Sequence, residues 1–168
     1  NTSIFHTAIS TPQGTILFAD GQQSLLFQPQ GLLSPLTASI NSLSNYDMTG
    51  DVNAVIVGEK YYFVNKSAKF CRIYSMINQG MQNPPIIEDV TKEVADWLPN
   101  DMTDLVACPT DNMIFVFNRT RNEVYARREI GEGSSWVKWR HSHPVVSLVV
   151  DHDLIFFMTS SDTDIQVS

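Results

Sequence analysis

Apolar residues in this chain fall into short runs separated by small polar breaks. The runs are rich in Val, Ile, Phe and Tyr, side chains that suit a pleated strand. Asn53-Ala54-Val55-Ile56-Val57 is followed by a break at Gly58-Glu59-Lys60 and then by Tyr61-Tyr62-Phe63-Val64. The shape returns as Asp104-Leu105-Val106-Ala107-Cys108, a break at Pro109-Thr110-Asp111-Asn112, and Met113-Ile114-Phe115-Val116-Phe117. It returns again as Val145-Val146-Ser147-Leu148-Val149-Val150, a break at Asp151-His152-Asp153, and Leu154-Ile155-Phe156-Phe157-Met158. A fainter copy turns at Thr11-Pro12-Gln13-Gly14 and leads into Ile16-Leu17-Phe18. Each unit predicts a β-hairpin. Two of them continue into a third strand, Phe70-Cys71-Arg72-Ile73-Tyr74 and Val124-Tyr125-Ala126.

The units recur at about 40 to 50 residues, the blade period of a β-propeller. Inner blade strands are covered on both faces, so they read as continuous apolar runs. The expected fold is all-β: antiparallel, blade-like sheets of a partial β-propeller with long irregular loops. Candidate blades lie near residues 11–27, 53–76, 103–142 and 144–168. About three and a half units fit, and closure typically takes four or more. The last unit stops at Asp164-Ile165-Gln166-Val167-Ser168 without its outer strands. Residues 1–168 therefore read as a single portion of a propeller-like domain, an excerpt of a longer chain. Long irregular stretches fall at 28–50 and 79–99. Within the second, residues 88–98 predict a short helical turn that Pro99 ends. Long loops of a β protein usually make surface contacts or carry function.

Residues 135–141 predict the outer strand of the blade begun at Asp104. Strand side chains alternate between faces. Val137, Trp139 and His141 then share one face, and Trp136, Lys138 and Arg140 share the other. The two tryptophans do not form one stacking platform. One face packs between blades; the other presents Trp136 with two cations beside it.

Composition narrows the function classes. At 168 residues and 43% apolar content the chain supports one domain with a sizeable core. The net charge is −7, so the chain as a whole does not attract nucleic acid, although local basic patches can. No apolar run reaches the roughly 18 to 20 residues that span a bilayer. The first residues lack the pattern of a secretory signal and begin without Met. Cys71 and Cys108 lie far apart and outside any C-x-x-C pattern, which gives neither a disulfide framework nor a zinc signature. Buried free thiols are the expectation.

Several constellations hint at chemistry, and each has a plainer reading. His141 and His143 share a strand face at a spacing that metal sites use, with His152 or Asp153 as a third ligand. The plainer reading is a chance pair at a strand end. Asp162-Thr163-Asp164 resembles a metal-binding acidic pair, or simply a solvated turn. Trp136 with Lys138 and Arg140 offers stacking and charge to a single-stranded nucleic acid. Strand packing with wet or intersubunit cations accounts for it as well. Arg127-Arg128 reads as a solvated pair or ion-pair donor rather than a phosphate clamp. No Gly-rich phosphate loop, G-x-S-x-G or H-E-x-x-H occurs. A carboxylate pair for sugar hydrolysis is set by space, not by sequence. Asn1-Thr2-Ser3, Asn65-Lys66-Ser67 and Asn118-Arg119-Thr120 match the glycosylation acceptor pattern. No residue is assigned to catalysis, a cofactor or a metal.

A resemblance orders these pieces. Gln23-Ser24-Leu25-Leu26-Phe27-Gln28, then Gly31-Leu32-Leu33-Ser34-Pro35-Leu36-Thr37-Ala38, then residues 55–64 follow one another. They are succeeded by Val90-Thr91, Val94, Trp97-Leu98-Pro99, Val124-Tyr125-Ala126 and Ser135-Trp136-Val137-Lys138-Trp139. In that order they resemble the tail nozzle family of short-tailed bacteriophages, also called tail tubular protein B. The departures are Lys92-Glu93 and Ala95, where the family has Ser-His and Pro, and Val137, where it has Ser.

The resemblance implies a non-enzymatic ring component of the virion tail, made in the host cytoplasm. It implies copies of itself in a hexamer, portal-side adaptor proteins and tail fibres as partners, and a channel for genome retention and ejection. DNA would pass without specific binding. The competing reading is a carbohydrate-binding or glycoside-hydrolysing propeller that uses Trp97 or Trp136 and a carboxylate pair. A third, an extracellular protein-binding propeller, rests only on the three acceptor triplets.

Overall fold

The computed structural model describes residues 4–27, 38–66, 68–80, 83–131, 133–152, 154–160 and 165–167. Asp153, the Asp162-Thr163-Asp164 pair, Ser67 of one acceptor triplet, Asn1-Thr2-Ser3 and residues 28–37 lie outside them. The fold is all-β, with four antiparallel sheets laid down in chain order. The first sheet holds β1 (Phe5–Thr11), β2 (Gly14–Ala19), β3 (Gln22–Phe27) and β4 (Ser39–Ser44). The second holds β5 (Val55–Val57), β6 (Lys60–Asn65), β7 (Arg72–Ile77) and β8 (Ile86–Asp89). The third holds β9 (Asp104–Cys108), β10 (Met113–Phe117), β11 (Glu123–Ile130) and β12 (Gly133–Arg140). The fourth holds β13 (Val145–Asp151), β14 (Leu154–Ser160) and β15 (Ile165–Val167). In every sheet the strands run in sequence order, each paired with the next.

Consecutive sheets stack face to face, and the apolar runs show why. All five residues of β10 are buried. Ile114 and Val116 belong to a core shared with the second sheet, through Tyr62, Val64 and Ile73. Met113, Phe115 and Phe117 belong to a core shared with the fourth sheet, through Val145, Leu148 and Phe157. The two-residue alternation of a strand sends odd and even side chains to opposite neighbours. In β6, Tyr62 and Val64 face the third sheet, while Tyr61 and Phe63 join Ile16, Phe18 and Leu25 of the first. A strand covered on both sides needs apolar residues at every position.

The first strands of the sheets lie near one another. β5 contacts β9, and β9 contacts β13. Thr7 on β1 reaches the segment leading into β5: its hydroxyl donates to Asn53 Oδ1 at 3.2 Å and accepts from the Ala54 amide at 3.4 Å.

The helical turn expected at 88–98 is shorter than the sequence suggests. Glu88 and Asp89 end β8, where they pair with Ser75 and Tyr74. The Asp89 carboxylate then accepts from the Thr91 amide at 2.8 Å and the Thr91 hydroxyl at 2.5 Å. This local turn leaves a single 3-10 turn over Lys92–Val94. Pro99 pairs with Phe70 in an isolated bridge.

Gly14 closes the β1–β2 hairpin with φ +143°, and a Cβ there would sit 2.4 Å from the Leu26 carbonyl oxygen. That neighbour is backbone and does not yield, so Gly14→Ala should destabilise the chain by about 1–3 kcal/mol. Urea unfolding of wild type and variant measures it; an unchanged midpoint contradicts this account of the turn.

Candidate functional site: aromatic seams and a neutralised arginine cluster

β12 is the outer strand of the third sheet, and its alternation is the one its sequence predicts. What differs is the fate of the second face. Trp139 lies against Phe115 and Phe157, with ring centroids 5.7 and 5.8 Å apart. It therefore wedges the seam between the third and fourth sheets. Trp136 is not presented to solvent beside two cations. It packs on the core shared with the second sheet, and its Nε1 donates to the Val90 carbonyl at 2.8 Å. Each tryptophan closes a different seam. The seam between the first and second sheets is aromatic too, with Phe18 and Phe63 centroids 5.6 Å apart and Tyr74 beside Phe63.

The seam between the second and third sheets holds a charged node. Glu129 on β11 accepts two bonds from Lys60 Nζ, at 2.9 and 2.8 Å, one from the Tyr62 hydroxyl at 3.0 Å, and one from Arg127 Nη1 at 2.5 Å. Burial pushes the Glu129 carboxyl up, but the bonds from Lys60, Arg127 and Tyr62 outweigh it and hold the group below its ordinary value. Arg127 is buried, and its Nε has no partner among the described residues. Of the two readings of Arg127-Arg128, the ion-pair donor holds for both residues, Arg127 toward Glu129 and Arg128 toward Asp111 at 3.3 Å, while only Arg128 stays solvated. Sequence alone missed the node. Its signal is parity: Arg127 and Glu129 share a strand face with the buried Tyr125, and charges on such a face need partners.

At the end of the third sheet, around the β10–β11 turn and the end of β12, Arg119, Arg121, Lys138 and Arg140 gather. Arg119 forms a two-pronged pair with Asp104, at 2.8 and 2.7 Å. Arg121 meets Asp101 at 2.6 Å. Arg140 meets Glu123 at 2.6 Å, with Lys138 Nζ at 4.0 Å from the same carboxylate. The Arg140 bond keeps the Glu123 carboxyl below its usual range. Exposed pairs of this kind contribute only about 0–1 kcal/mol each. Their larger effect is to cancel a basic patch that the sequence leaves open. Every arginine of the chain lies within salt-bridge reach of a carboxylate.

The remaining candidates separate. The His141 ring packs at a tilt against Phe157, centroids 4.5 Å apart, and its buried Nε2 has no hydrogen-bond partner among the described residues. His152 is exposed and pairs with Asp151. Among the described residues, no group of three or more His, Cys, Asp or Glu is arranged to hold a metal ion. Cys71 and Cys108 are buried free thiols in different cores, and burial pushes the Cys71 thiol up to about 12. Trp97 stands exposed just after the 3-10 turn. Among the described residues no helix is long and apolar enough to cross a membrane.

The sequence profile of the bacteriophage nozzle proteins matches residues 1–168, the whole chain. The chain belongs to the bacteriophage nozzle protein family. No curated protein gives a significant match to it. Nozzle membership makes it a structural component of the phage tail, a virion protein that assembles with other tail proteins.

Two substitutions probe the seams. Glu129→Gln removes the charge that Lys60 and Arg127 share, and should cost about 1–3 kcal/mol in urea unfolding at pH 7. Burial depresses the His141 imidazole below its ordinary value, so the native seam favours the neutral ring. Stability is then complete above about pH 6.5 and declines as pH falls through the folded value. His141→Phe should flatten the stability profile between pH 7.5 and 5; a slope identical to wild type contradicts the assignment.

Proposed function

We propose that this chain forms part of the wall of a nozzle ring, six copies around a channel, through which the phage genome is retained and then ejected. Its sheets are the blades of a propeller-like domain, near 11–27, 53–76, 103–142 and 144–168. Three features support the blade reading: the sheets follow one another in sequence, stack face to face, and bring their first strands together. Adaptor proteins on the portal side and tail fibres are the partners. The role is mechanical, with no catalysis.

The observation that carries the channel reading is the pairing of the arginines. A conduit must not hold the phosphate backbone it passes. Net charge −7 gives overall repulsion, felt within a Debye length of about 8–10 Å. Asp101, Asp104 and Glu123 cancel Arg121, Arg119 and Arg140 locally. Free arginines in that cluster would bind DNA through counterion release.

Electron micrographs of virions of the encoding phage should show the chain in a ring at the tail; virions that lack it overturn the proposal. In a gel-shift assay near 0.15 M salt, wild type should not retain duplex DNA. The triple variant Asp101→Asn, Asp104→Asn, Glu123→Gln should retain it in the micromolar range, with affinity falling steeply as salt rises. Equal retention by both proteins contradicts the charge argument.

A further inference from the structure

A cleft of about 330 Å³ opens between the first and second sheets at their shared turn end. It lies within the size range of small-molecule sites. The end of β1 contributes Ser10 and Thr11, the β1–β2 turn contributes Gln13, the β5–β6 turn contributes Glu59, and Tyr61 and Asn78 complete the polar lining. Pro12 and Ile56 supply apolar wall. Some of these groups are already engaged. The Thr11 hydroxyl donates to the Gly14 carbonyl at 2.9 Å. Asn78 Oδ1 accepts from the Gly80 amide at 3.1 Å. Others are not. Asn78 Nδ2 is buried without a hydrogen-bond partner among the described residues. Among those residues, the structure gives no hydrogen-bond partner to the Glu59 carboxylate, the Gln13 side-chain amide or the Tyr61 hydroxyl, while the Gln13 backbone N–H donates to the Thr11 hydroxyl at 3.1 Å.

The lining selects by chemistry. It holds no Lys or Arg, and Glu59 repels an acidic ligand. One carboxylate is too few for a divalent cation that takes six or more oxygens, on the order of calcium. A wholly apolar ligand would strand the polar groups. A ring bearing several hydroxyls fits. Each hydroxyl both donates and accepts, so carboxylate, amide and phenol can all be met, while ring C–H groups lie on Pro12 and Ile56. Asn78 Nδ2 is sealed from solvent, so it meets a sugar hydroxyl only after its side chain turns toward the cleft. We propose that this cleft binds a saccharide unit, through Glu59, Asn78 and Tyr61. The site is separate from the exposed Trp97 and from the half-buried Trp136, and does not depend on the nozzle assignment.

The test is saturation-transfer NMR and calorimetry on the purified chain with neutral hexose and deoxyhexose oligosaccharides. A parallel arm uses immobilised polysaccharides of the same sugars, to separate free sugar from surface polymer as the source. Binding in either arm, weakened at least tenfold by Glu59→Ala and by Asn78→Ala but unchanged by Trp97→Ala, supports the site. Glu59 is an exposed turn residue, so its variant should keep the wild-type melting temperature and remains informative if Asn78→Ala fails to fold. The proposal is overturned by no saccharide binding in either arm, by binding that survives Glu59→Ala, by loss only in Trp97→Ala, or by displacement with a simple alkylamine instead of sugar.

Discussion

A central strand buried on both faces is the constraint on which this structure depends. β6 and β10 each serve two hydrophobic cores at once. That double duty fixes the order of the sheets, since a strand with two apolar faces must be covered by two neighbours. It also fixes register. A slip of one residue along β10 would send Phe115 and Phe117 into the seam that accepts Ile114 and Val116, and the aliphatic pair into the aromatic one. The ring contacts around Phe157 and the Trp136 bond to Val90 add geometric specificity to what area burial alone leaves loose.

Much of this was legible in the chain. Unbroken apolar runs such as residues 61–64 and 113–117 announce strands covered on both sides, and the polar breaks between them announce hairpins. The alternation along 135–140 gave the correct faces for Trp136 and Trp139, because strand parity is local. What lies against each face is not local. The position of Trp136 depends on Val90, 46 residues away in sequence. The node at Glu129 draws on Lys60 and Tyr62, further still. The stretch 88–98 misled for a different reason. Its composition suits a helix, but pairing of Asp89 with Tyr74 and the turn at Thr91 settle the backbone first.

Charge tells a similar story. From composition the chain is simply acidic, and from the local sequence 119–121 and 138–140 are basic. Both statements hold, and neither describes the surface. Carboxylates from β9, from β11 and from the segment before β9 lie against the arginines, so the electrostatic character of that end is set by folding. Glu129 follows a different regime: it is half-buried and holds the buried Arg127, so its pairing bears on stability more than on surface character.

The double membership of β10 has a consequence for how such a chain can vary. Phe115 and Val116 are bonded neighbours, yet they answer to different surroundings, one to Trp139 and Phe157, the other to the side chains of β6 and β7. Residues two apart share a fate that adjacent residues do not. Substitutions in a central strand should therefore be compensated across a seam and leave the next position untouched. Related chains can then remodel one interface between sheets while inheriting the adjoining one intact.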